Sequence, residues 1–108
     1  MIRQITVNDL HTRLTAGENV LLLDVRQPEE YAICRLENAT LIPLGELPRR
    51  ADELDVPKDA AVVVYCHHGI RSITGAHMLL LAGYTDVASL AGGIEAWSLQ
   101  IDPAIPRY

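Results

Sequence analysis

Cys66 is followed by His67, His68, Gly69, Ile70 and Arg71, which sets a nucleophilic sulfur and a guanidinium with four residues between them. The thiolate is the reactive form of cysteine, and it is stabilised where backbone N–H groups converge and a helix begins. The flanking residues supply that setting. Ala61–Tyr65 (AVVVY) is β-branched and uninterrupted, which predicts a strand. Ser72–Leu81 reads as a helix, with Ser72 at its cap, Ile73, Ala76 and Leu80 at helical spacing, and Gly83 as its stop. A cysteine between the two stands outside the carboxyl edge of a parallel sheet, where open α/β folds bind ligands. Arg71 offers a planar fork suited to an oxyanion, and Gly69 allows a sharp turn with no side chain in the way. Between Ala60 and Thr85 there is no Asp or Glu, so a small anion is the expected ligand. His67 and His68 read in two ways: protonated near neutral pH they would attract that anion, and otherwise they are exposed residues that tolerate the turn.

Other chemically capable side chains are sparser. Asp24 and Arg26 follow an apolar run and reach the same sheet edge, Asp24 as an ion-pairing or capping residue and Arg26 as a candidate contact for substrate or partner. Glu30 and Tyr31 read as packing and capping residues, and Cys34 as a bystander thiol. Consecutive residues on a tight loop point apart and no second ligand cluster exists, so Cys66, His67, His68 and His77 are not expected to hold a metal. No cofactor is implied.

Several elements must carry these residues. Ile5 falls in a first short strand, and Thr6 can cap a helix over Val7–Ala16 that Gly17 ends. Val20–Asp24 (VLLLD) is apolar throughout, as in a parallel strand covered on both faces. Pro28 can open a short helix, with Glu29 and Glu30 near its positive end. Thr40–Pro43 is a short strand, Pro48 lies in the first turn of a helix ending near Leu54, and Val87–Leu90 is a last strand. Gly92 and Gly93 turn into a helix through Ala96 and Trp97, the indole covering the core. Short apolar runs alternating with helices predict an α/β domain spanning residues 1–108, doubly wound, with about five parallel strands and helices on both faces.

Bulk properties narrow the function classes. The formal net charge of -5 opposes nucleic acid or an anionic membrane as partner. The N-terminal residues lack the apolar core of a signal peptide, and no run approaches the roughly 20 apolar residues of a membrane span, so a cytoplasmic protein is expected. Two cysteines far apart read as reduced thiols.

Three stretches in this order, LLLDVRQPEEY, CHHGIRS and LAGGIEAW, resemble the rhodanese (thiosulfate sulfurtransferase-like) family along nearly the whole chain. The tail DPAIPRY resembles the end of rhodanese domains fused to adenylyltransferases of sulfur-carrier pathways. At CRLENA the chain departs from the family's His-Ile-Pro-Gly-Ala, with Arg35 for the His and Asn38 for the Gly. The resemblance implies a doubly wound sheet and Cys66 as nucleophile. It implies a sulfur donor, thiosulfate or a persulfide, held by the loop 67–71, and a persulfide on Cys66 that passes its sulfur to a thiol or acceptor protein. Two alternatives stand beside it: a persulfide carrier or docking domain, and a cysteine phosphatase or arsenate reductase of related fold. The latter needs five residues between Cys and Arg to surround a tetrahedral oxyanion, whereas HHGI is four.

Overall fold

A computed structural model describes residues 2–108. Five parallel strands form one sheet: β1 (Gln4–Ile5), β2 (Leu21–Asp24), β3 (Thr40–Leu41), β4 (Ala61–Tyr65) and β5 (Asp86–Leu90), in the spatial order β1-β5-β4-β2-β3. β4 is central, paired to β2 and β5 through four registered residues on each side. The helices are α1 (Val7–Thr15), α2 (Pro28–Ile33), α3 (Leu47–Arg50), α4 (Arg71–Leu81) and α5 (Gly93–Gln100), and a 3-10 turn over Ala51–Glu53 prolongs α3.

Alternation along β4 divides the interior. Val62 and Val64 face Leu47, Ala76 and Leu79, while Val63 and Tyr65 face Leu10, Ile94 and Trp97. The continuous apolar run thus serves two cores, as in a parallel strand covered on both sides. The chain leaves β2 for β3 and then returns past β2 to β4. Connections after β2 and after β4 therefore meet at a switch point of the sheet, the usual place of a ligand crevice in such folds.

Thr6 caps α1 through its hydroxyl, which accepts from Asp9 N–H at 3.1 Å. Pro28 opens α2, where Glu30 accepts from Gln27 N–H at 3.1 Å. Asn38 adopts φ +63°, so the side chain standing in for a family glycine is one that tolerates the left-handed region. The face of α4 differs from expectation. Ser72, Gly75, Ala76 and Leu79 are buried and Leu80 is exposed, since the 72–75–76–79 stripe is the one packed on the sheet; the helix starts at Arg71, capped by Ile70 without a side-chain bond. Ser72 is therefore not a cap, and its hydroxyl turns inward. No helix among the described residues is long and apolar enough to cross a membrane.

Candidate active site

Cys66 leaves the carboxyl end of β4 and is 1% exposed. Gly69 N–H donates to its Sγ at 3.1 Å. Gly69 turns the loop at φ +97°, a region open to glycine at little cost. The loop is seated from behind by the start of α5. Ile94 N–H donates to Cys66 O at 2.9 Å and Glu95 N–H to His67 O at 3.1 Å. Gly93 permits this approach, since a Cβ there would lie 2.4 Å from His67 O and 2.5 Å from Cys66 O.

Beneath the sulfur is a buried hydroxyl pair. Cys66 Sγ lies 3.5 Å from Ser72 Oγ, which lies 2.7 Å from Ser89 Oγ on β5. With a thiol, Cys66 donates to Ser72; with a thiolate the bond reverses, Ser72 donating to sulfur and Ser89 to Ser72. In the thiolate form the Ser72 hydroxyl thus joins the Gly69 amide at the sulfur, with Ser89 supporting Ser72 from behind.

Arg71 stands at the loop's end but does not point freely into it. Its Nη1 and Nη2 donate to Glu30 Oε1 at 2.7 Å and Oε2 at 2.9 Å across the crevice. The guanidinium beside it is the largest cause holding the Glu30 carboxyl at about 2, well below the usual range. Tyr108 OH donates to the same Oε2 at 2.8 Å.

His67 is sandwiched between rings. His68 lies 3.8 Å away at 28° and Tyr108 lies 3.9 Å away at 10°. Its buried Nε2 finds no hydrogen-bond partner among the described residues. Burial first, then the neighbouring His68, pushes the His67 imidazolium down from its ordinary range. That disfavours the reading of His67 as a protonated anion attractor at neutral pH. His68 is exposed, and Ile70 projects outward, 75% exposed, beside the loop.

Arg26 departs from its expected place as a substrate contact. It is 0% exposed, and Asp24, also 0% exposed, accepts from its Nε at 2.9 Å and its Nη2 at 2.7 Å. Cys34 O accepts from Nη2 at 2.6 Å, and Nη1 donates to Tyr108 OH at 2.8 Å. Arg26 is therefore a buried ion-pairing residue with no face left for a sulfur donor. Its fork supplies hydrogen-bond partners to a carboxylate that burial would otherwise strand at the sheet edge. Glu30, Ser72, Ser89 and Tyr108 escaped the sequence reading as members of the site. The doubled acid before Tyr31 and the tyrosine of DPAIPRY are the sequence signals for Glu30 and Tyr108, and nothing local marks Ser72 or Ser89. Among the described residues no group of His, Cys, Asp and Glu side chains could hold a metal ion.

A doubly wound α/β fold, with a cysteine in a short loop between its central strand and an α-helix, defines a class of domains that present a cysteine at the carboxyl edge of a parallel sheet. The profile of the Rhodanese-like domain family matches residues 6–100, and the chain belongs to that family. It is 40% identical over 98 residues to a sulfurtransferase of Allochromatium vinosum, covering 91% of this chain and 90% of that protein. A probable adenylyltransferase/sulfurtransferase of Mycobacterium tuberculosis is 35% identical over 104 residues, covering 96% of this chain and 26% of the longer protein. The chain thus spans about a quarter of that fused relative. Among solved structures, a thiosulfate sulfurtransferase from Pseudomonas aeruginosa superposes with a TM-score of 0.82 at 30% identity, over 91% of this chain and 19% of that one.

Proposed function

We propose that the protein transfers sulfane sulfur through a persulfide on Cys66. The observation that carries this reading is the Cys66 sulfur at the base of a four-residue loop, with the Gly69 amide and the Ser72 hydroxyl directed at it. A thiolate there attacks the outer sulfur of thiosulfate; the S–S bond breaks, sulfite leaves with its electron pair, and Cys66 retains the sulfur as a persulfide. A thiophilic acceptor, cyanide in an assay or a thiol or protein otherwise, then takes that outer sulfur and regenerates the thiolate. This is covalent two-step catalysis, with the loop amide and the hydroxyls stabilising the charged sulfur in each half. The likeness to sulfurtransferases supports it.

Intact-protein mass measurement after thiosulfate treatment tests the reading. Wild type is expected to gain one sulfur atom and Cys66→Ser none. Equal gain by both, or none by wild type with any sulfane donor, overturns it. A carrier or docking role is the second reading, favoured by the match to one quarter of an adenylyltransferase fusion. Loading without multiple turnovers to cyanide would identify it.

A further inference from the structure

Glu30 carries more hydrogen bonds than a helix cap requires. Its carboxylate accepts from Arg71 Nη1 and Nη2, from Gln27 N–H and from Tyr108 OH, all within 3.1 Å. Only the Gln27 bond serves the start of α2. The remaining three set a fixed negative charge on the one guanidinium of the Cys66 loop.

Tyr108 is itself held from several directions. Its OH accepts from buried Arg26 and its ring lies flat on His67. The segment that delivers it is fastened twice on the way, by Ser98 Oγ donating to Ile105 O at 2.7 Å and by Arg107 gripping Glu95 at 2.7 Å. Tyr108 therefore reaches Glu30 as a latch with a defined geometry.

This arrangement bears on which sulfur donor the loop accepts. Thiosulfate bears its anionic sulfonate directly on the sulfur to be transferred, and its leaving group is the sulfite dianion. Both gain from a free guanidinium fork, and both are repelled by a carboxylate already occupying it. An alkyl persulfide has carbon in that place and releases a thiolate with no sulfonate to be matched.

Resting on the reading of Cys66 as a sulfur-transfer residue, we propose that Glu30, latched by Tyr108, is a specificity-determining residue that biases Cys66 toward alkyl persulfides over thiosulfate. The step is RS–SH with the Cys66 thiolate giving RS⁻ and a Cys66 persulfide that keeps the proton. The outer S–S bond breaks, the new one forms to Sγ, and the leaving thiolate takes the electron pair. Tyr108 is a positioning residue, acting through the carboxylate it holds.

The test is the rate constant for loading Cys66, followed by intact mass, with inorganic thiosulfate and with glutathione persulfide, whose carboxylates lie several bonds from the transferred sulfur. Glu30→Gln keeps an oxygen for Gln27 N–H and removes the charge. It is expected to raise the ratio of the thiosulfate to the persulfide loading rate about tenfold, the effect of one nearby charge at a partly exposed site. Tyr108→Phe keeps the ring on His67 and removes the phenol bond. It is expected to shift the ratio of the two rates the same way by about threefold, and thermal unfolding checks that it folds. An unchanged ratio in both variants, with wild type loading normally, overturns the role of the latch. Failure of wild type to load with either donor instead overturns the sulfur-transfer reading, and the latch proposal falls with it.

Discussion

Gly93→Ala tests how the Cys66 loop is held. Gly93 sits at φ +59°, and its added Cβ would lie 2.4 to 2.6 Å from the Cys66 and His67 backbone. Real Cβ atoms essentially never approach another heavy atom closer than 3.0 Å. The loop and the start of α5 must therefore part by at least about 0.6 Å, and the atoms met are backbone, with no flexible side chain to absorb the shift. The left-handed backbone costs a non-glycine residue about 1–2 kcal/mol. Stretching the two bonds from Ile94 and Glu95 to the loop carbonyls loses about 1 kcal/mol each. The expected destabilisation is about 3–4 kcal/mol, a large share of the ~5–15 kcal/mol that holds a domain together. The assay is urea unfolding, read as a shift of midpoint at constant slope, alongside the rate of Cys66 loading. Gly17→Ala is the control: φ is +82° there, but nothing lies within 4 Å of the added carbon, so only the backbone cost of about 1–2 kcal/mol is expected. If Gly93→Ala costs no more than Gly17→Ala and loads at the wild-type rate, the loop is not seated on α5 as described.

Arg26→Met should destabilise by about 3–5 kcal/mol in the same unfolding assay, because it strands the buried Asp24 carboxylate; Asp24→Leu in the same chain should recover much of that loss. Arg26→Lys should not restore the wild-type midpoint, since an ammonium cannot serve both Asp24 oxygens and Cys34 O together. Acid unfolding reports the Glu30–Arg71 clasp. A carboxylate held below its unfolded value contributes stability that is full above about pH 4.3 and is lost as pH falls through its folded value of about 2. Wild type should therefore exceed Glu30→Gln in stability by about 1 kcal/mol at pH 6, a figure already reduced for solvent screening, and the gap should close toward pH 2. A gap that is constant over this range would separate the stability of the clasp from the charge on Glu30.

Particular residues show what could be read in advance. AVVVY declared β4 with its bounds because a β-branched run with no breaker has no competing local structure. The loop after it singles out Cys66 as the candidate nucleophile because His-His-Gly beside a core cysteine has no packing rationale in the sequence, whereas the ring of Tyr108 that His67 stacks on lies 41 positions further along the chain. Gly92–Gly93 marked the turn into α5 through the special backbone angles only glycine accepts freely. Ser72 reads as a cap because serine before an apolar helix is a common one, whereas its inward course depends on Ser89, which lies in β5. Arg26 was placed toward ligand because position along a strand end does not reveal burial; Asp24, two residues earlier, takes its fork within the fold.

The chain's local order determined the parallel strands, the crossover helices and the cysteine loop at the edge of the sheet, because each depends on hydrophobic period and turn chemistry within a few residues. Tertiary structure alone decided the electrostatics of that loop. Glu30 and Arg71 are separated by 41 positions and Glu30 and Tyr108 by 78, yet they share one carboxylate. Such a meeting follows from the return of the chain past β2 to the centre of the sheet. No short stretch of sequence contains that crossing, and with it came the difference between an open guanidinium and an occupied one.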